Sequence, residues 1–226
     1  MNIIGGPAQD GEWPWQIALM WNNIYVCSAA LLTPDWAVTT AQCVNQEASG
    51  YSILIGTNNL AEWSPNYQRQ PVASVYKHPE YNTRIHDFDV ALLRLTDPVE
   101  ITDYSRTICI PTTDMSFEVG TTCYASGWGS SDGINEFLQE AQFSITSSNN
   151  CEGVTSNMLC ADGIESSGAC AGDEGGPLVS LVDTRWYLVG LTSKTTCGSG
   201  ADVFTRMTAM YEWIAPILDG ETPLSK

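Results

Sequence analysis

Short runs of apolar and β-branched residues, separated by turn residues, cover most of this 226-residue chain. Runs at 16–21 and 26–32 flank Asn22-Asn23 and predict two strands joined by a tight turn. Further runs at 36–40, 52–56, 71–76 and 90–95 continue the pattern, with turn residues between them. From Asp97-Pro98 to Pro111 the chain is turn-rich, which predicts a crossover between two packed units. An apolar run after Pro177 again reads as a strand. The segment 208–218 differs: Met210, Tyr211, Ile214 and Leu218 recur at helical spacing and predict one C-terminal helix. No internal repeat or low-complexity tract interrupts the series. The chain therefore reads as all-β, with a first half at 3–105, a second half at 106–207 and a helix at 208–219.

Charge narrows the partners. Nine basic residues against 26 acidic ones leave a formal net charge of −17. Nucleic acid and anionic membrane both require a basic face, so neither is expected as a partner. Solubility alone accounts for such a surplus, and basic protein partners are favoured by it. No apolar run approaches the ~20 residues of a membrane span. No leader segment is visible, so the chain reads as a mature form preceded by Met1-Asn2. Eight cysteines without a zinc-type Cys-x-x-Cys pair argue for disulfides and an oxidising, extracellular setting. Two histidines without ligand spacing make no metal site.

The stretch Cys170-Ala171-Gly172-Asp173-Glu174-Gly175-Gly176-Pro177 carries the chemistry of the chain. Its bunched glycines permit a tight turn whose backbone N–H groups converge on an anion site. It resembles the Gly-Asp-Ser-Gly-Gly-Pro signature of the chymotrypsin/trypsin-like serine proteases, with Glu174 in place of the nucleophilic serine. Other segments are similar to the family in the same order. Ile3-Ile4-Gly5-Gly6 resembles its mature amino terminus, Thr40-Ala41-Gln42-Cys43 its histidine segment with Gln42 at the histidine, and Asp87-Phe88-Asp89 its aspartate segment with Asp89 intact. Ala125-Ser126-Gly127-Trp128-Gly129 matches a further turn, and the resemblance runs from Ile3 to about Leu218. It implies two antiparallel β-barrels packed against each other, a degenerate site between them, and a C-terminal helix.

What the resemblance implies residue by residue is mostly loss. A histidine takes and returns a proton near neutrality, which the Gln42 amide cannot do. The residue-level expectation is a buried hydrogen bond between Gln42 and Asp89, with Ser193 still supporting the aspartate. Asp173 would pair with the freed amine of Ile3 in an active member, but Asn2 precedes Ile3 and makes that nitrogen an amide. His86 falls on the cleft wall. Gly168 replaces the pocket aspartate of trypsin-like members, and Asp202 stands at a pocket-floor position that is usually glycine. Asp202 is read as attracting a basic side chain or as filling the pocket. Lys194 and Thr195 replace the Trp-Gly rail that holds substrate. Lys194 is read either as solvated or as paired with Glu174 or Asp202. Ser28-Ala29 replaces a glycine pair on the primed side. Asp89 and Glu174 also form the two carboxylates of a glycosidase kit, without any sugar-binding feature beside them.

By the same resemblance Cys27–Cys43, Cys151–Cys160 and Cys170–Cys197 are bridged. Cys109 and Cys123 have each lost their usual partner, Ser180 standing where that of Cys123 would be, and are expected to bridge each other. The function implied is that of a secreted, catalytically inactive homologue, monomeric and without cofactor or metal, that binds an extracellular protein. Inactive members of the family include antimicrobial granule proteins, haemoglobin carriers, melanisation cofactors and mite paralogues that interfere with host complement. A compact acidic unit is most similar to the last. Two other readings compete with it, a residual or novel hydrolase and a decoy for protease substrates or inhibitors.

Overall fold

The computed structural model describes residues 6–62 and 64–220. Six strands close the first barrel: β2 (Gln16–Trp21), β3 (Ile24–Thr33), β4 (Trp36–Thr39), β5 (Tyr51–Ile55), β6 (Gln68–Lys77) and β7 (Ala91–Leu95), in the order β2-β3-β4-β7-β6-β5. The second sheet adds β1 (Gly6–Pro7), β8 (Thr122–Ser130), β9 (Gly133–Thr146), β10 (Met158–Gly163), β11 (Pro177–Val182), β12 (Arg185–Lys194) and β13 (Asp202–Arg206). Its order is β1-β9-β10-β13-β12-β11-β8, and a β8–β9 pairing closes six of these strands into a second barrel. All strand pairings are antiparallel, and closure removes the open sheet edges that would invite aggregation. The expected two-barrel architecture is thus observed.

The period of two along each strand assigns residues to cores. In β2, Ile17 and Leu19 point into the first barrel, while Ala18 between them faces the second. In β7, Leu93 and Leu95 fill the same barrel interior, and Leu92 joins Val179, Leu188 and Leu191 of the second unit. Phe143, Phe204, Leu178 and Val189 fill the second barrel. A shared apolar layer therefore glues the barrels together and fixes the cleft between them.

The helix α1 (Met207–Leu218) seals this layer. Its buried face is Met207, Met210, Ile214 and Ile217, at intervals of three and four residues. Met210 and Ile214 match the sequence reading. Ile217 takes the place assigned to Leu218, and Tyr211 lies half-buried beside the face. Pro216 falls in the last turn, near where the helix ends. The long strand β9 is the element that sequence pattern missed. Its first half, with Asn135, Glu136, Gln139 and Glu140, is polar on both faces, and only Ala141, Phe143 and Ile145 alternate cleanly.

The crossover from 96 to 121 carries no strand. Here one expectation fails. Cys109 and Cys123 do not bridge each other: both are free thiols, Cys109 exposed and Cys123 buried. Cys109 sits in the crossover, where it bridges in backbone register to Tyr187. Cys123 lies on β8 inside the second barrel, and burial pushes its thiol up to about 12. The two cysteines belong to different layers, so losing their partners does not bring them together. The other three pairs, Cys27–Cys43, Cys151–Cys160 and Cys170–Cys197, are bridged as expected. Iodoacetamide should therefore alkylate Cys109 in the native protein, and Cys123 only after denaturation. Mass mapping that finds Cys123 modified at the native rate would contradict this placement.

Candidate active site

Four chain segments meet at the cleft. Gln42 lies in the single turn of helix (Ala41–Cys43) after β4, and Asp89 in the loop entering β7. Glu174 precedes β11, and Ser193-Lys194 ends β12. Gly175 lets the 172–176 turn press onto the first barrel. Its φ of +77° is in the left-handed region, and a Cβ there would run into Thr39 Oγ1 and the Ser28 carbonyl.

Asp89 is fully buried, and its oxygens are all engaged. Oδ1 accepts the Gln42 backbone N–H at 3.0 Å. Oδ2 accepts the Gln42 side-chain amide at 2.7 Å and the Ser193 hydroxyl at 2.7 Å. Burial raises the Asp89 carboxyl above its ordinary range, and these donors hold it back. The Gln42 amide nitrogen donates its other hydrogen to the Ser193 carbonyl at 2.8 Å, so both of its hydrogens are used. The result is a fixed strut between barrels in which the Gln42 amide, unlike an imidazole, neither gains nor loses a proton. The expected Gln42–Asp89 bond is present, and Ser193 keeps its supporting role.

His86 stands nearby but outside this bond network. Its Nδ1 is 3.7 Å from Asp89 Oδ2, beyond hydrogen-bond reach, and has no hydrogen-bond partner. The ring meets Tyr81 edge-on.

Glu174 turns back on its own loop. Its carboxylate accepts the Gly172 backbone N–H at 2.7 Å. The turn read from the sequence as an anion site thus already carries a resident negative charge on this amide. Tyr25 fixes the next peptide of the turn by donating its hydroxyl to the Gly172 carbonyl at 2.6 Å. Burial raises the Tyr25 hydroxyl well above its ordinary range, with the charge of Asp173 adding to the effect. The Ile134 side chain lies against Gly172, where a Cβ would strike it.

Ser28 belongs to a chain of buried polar groups that sequence reasoning did not find. The Ser126 hydroxyl donates to Gln16 Oε1 at 2.7 Å, and Gln16 Nε2 donates to Ser28 Oγ at 3.0 Å. Ser28 Oγ shares a hydrogen bond of 2.9 Å with the Tyr25 hydroxyl. This network ties both barrels to the Gly172 turn. The departure of Ser28 from glycine is visible in the sequence, but its partners are 12 and 3 residues away and gave no local signal.

Two further carboxylates are sealed beneath the turn. Asp173 accepts the Gly129 N–H at 2.7 Å and the Cys170 N–H at 2.8 Å. Burial pushes its carboxyl up to about 7, and Glu174 and Asp202 add to the rise. Among the described residues it makes no ion pair; Ile3, the residue it would pair with in an active member, lies outside them. Asp202 accepts the Ala169 N–H at 2.8 Å and the Thr196 N–H at 2.6 Å. Burial pushes it up to about 6. Of the two readings of Asp202, filling the pocket is the one its geometry fits, since both oxygens are spent on backbone. Gly168 closes the same region: a Cβ there would collide with the backbone of Gly198. Lys194 pairs with neither Glu174 nor Asp202, as no ion pair joins them among the described residues, and Thr195 follows it half-buried.

Two six-stranded antiparallel barrels with a site in the cleft between them define a trypsin-like fold. The family model described as Trypsin matches residues 3–214, so the chain belongs to the trypsin-like serine protease family. It is 34% identical over 230 residues to the atrial natriuretic peptide-converting enzyme of Homo sapiens, a match covering 94% of this chain. The chain spans 22% of the length of that relative.

Proposed function

We propose that this chain is a proteolytically inactive member of its family and acts by binding another extracellular protein. One observation carries the reading: the amide of Gln42 donates both hydrogens, to Asp89 and to the Ser193 carbonyl, where acyl transfer needs a titrating base. The neighbouring position adds a second loss, since the Glu174 carboxylate is held on the Gly172 N–H. A carboxylate acting as nucleophile must be free to reach substrate, and this one is folded back. Three disulfides fit an oxidising, extracellular compartment. Interference with host defence, complement included, is the narrower form of this reading, suggested by a compact and acidic protease-like unit.

The glycosidase reading has less support, because Asp89 is fully buried under three hydrogen bonds and offers no oxygen to a sugar. The decoy reading is opposed by the filled pocket at Asp202 and Gly168. The test is a serine-reactive fluorophosphonate probe on the folded protein. No labelling above a heat-denatured control is expected. Stoichiometric labelling of any serine in the cleft would overturn the proposal.

A further inference from the structure

Two cavities on the flank of the first barrel, of about 280 and about 350 Å³, share Met20, Leu60 and Ala61 and form one trough. Its outer end is lined by Leu54, Glu62 and Arg69, and its inner end by Tyr25, Ile134 and Glu136. The inner end abuts the Gly172 turn through the Tyr25 hydroxyl. Backbone hydrogen bonds join the two segments that line the trough, 57–62 and 134–138, across the barrels. Leu60 N–H donates to the Glu136 carbonyl at 2.9 Å, Leu138 N–H donates to the Asn58 carbonyl at 2.6 Å, and Asn59 bridges Phe137. A trough whose walls are joined by backbone hydrogen bonds is preformed and costs little ordering on binding.

We infer that this trough is the surface that takes the partner, and that it takes an extended segment of alternating apolar and basic side chains. The inference rests on the protein-binding reading above. The apolar side is supplied by Met20, Leu54 and Leu60, with Ile134 still 48% exposed at the rim. The basic side follows from charge. Glu62 and Glu136 face the trough and make no ion pair among the described residues. Arg69, the cation lining it, donates Nε and Nη2 to Ser52 Oγ at 3.2 and 2.9 Å, and Nη2 also to Asn23. Its Nε and Nη2 donors are thus engaged by Ser52 and Asn23. The net charge of −17 repels an acidic partner and a second copy of this chain alike. An extended strand places alternate side chains on opposite faces, so the apolar face enters the trough while the long basic side chains of the other face reach back over its rim to the glutamates.

The probe is the synthetic peptide acetyl-Lys-Leu-Lys-Phe-Lys-Leu-Lys-amide, titrated into the ¹⁵N-labelled full chain, beside a counterpart with glutamate for lysine. The basic peptide should bind at ~100 µM or tighter and shift amides at 57–62 and 134–136, while the acidic one shifts none. Glu62→Lys with Glu136→Lys should weaken binding at least ~10-fold. The same reversal at Asp114 and Glu118, outside the trough, should leave binding intact and so separates a local site from bulk charge. Equal binding of both peptides, equal loss in both charge-reversed variants, or sedimentation evidence that a second copy covers the trough would overturn the inference. Mass spectrometry of the recovered peptide separates the two claims: a bound but cleaved peptide would sink the inactive reading and leave the trough standing.

Discussion

A chain carrying Gln42→His with Glu174→Ser should stay at least ~100-fold below an active family member in kcat/KM on basic and aromatic peptides. The two changes supply a nucleophile and a base, and Asp89 is already placed to orient the imidazole. Removing the Glu174 carboxylate also frees the Gly172 N–H. The chemistry would then be complete on paper, but the peptide would still have nowhere to lie. Asp202, read from the resemblance as the pocket floor, has both oxygens bound to backbone, and Gly168 is backed directly against Gly198. The strand that should carry the substrate ends in Lys194, followed by Thr195. Ile134 covers Gly172 from the other side. Loss of positioning alone costs about two orders of magnitude, and here it is distributed over several residues. A kcat/KM within ~100-fold of the reference would mean that the cleft is intact and that only the triad was lost.

The second large effect is on stability. Burial pushes the Asp173 carboxyl up to about 7 in the folded protein, against 3.8 for an ordinary aspartate. Between those two values the folded chain holds a proton that the unfolded chain has released. Stability from this group is therefore full at the acid end, falls as pH rises through the window, and levels off above about 7. Three pK units correspond to roughly 4 kcal/mol. Asp202, at about 6, works in the same direction over a shorter window. The net charge of −17 adds self-repulsion as carboxylates ionise, again lowering stability with rising pH. Denaturant unfolding at pH 5 and pH 7.5 should give a clearly higher midpoint at pH 5. Asp173→Asn should be less stable at pH 5, because an amide accepts only one of the two N–H groups, but should flatten the slope from pH 5 to 7. A stability that rises over that interval, or an unchanged slope in Asp173→Asn, would contradict this account.

Much of this was legible from residue types. The apolar run at 16–21 announces a strand, and the structure adds that Ile17 and Leu19 face one core and Ala18 the other. Gln42 and Asp89 are short of any other chemistry than a hydrogen bond, and they make one. The misses share a cause: they depend on distances across the fold. Cys109 and Cys123 lack partners in the sequence, but only the layers of the second barrel reveal that they cannot meet. Glu174 reads as a lost nucleophile, while its hydrogen bond to Gly172 depends on how the turn folds back over two residues. The Ser126–Gln16–Ser28–Tyr25 network joins residues up to 110 positions apart, and no local pattern encodes it. Strand β9 was hidden by its polar first half, which pairs with β8 although it buries little.

With the Gln42–Asp89 strut and the folded-back Glu174 in place, the proposed outcome is that no peptidase activity remains. The decisive measurement is turnover by the unmodified chain on a diverse peptide library, read by mass spectrometry against a buffer blank. No cleavage above the blank is expected at any sequence. Saturable cleavage at defined bonds, abolished by Glu174→Gln, would contradict it.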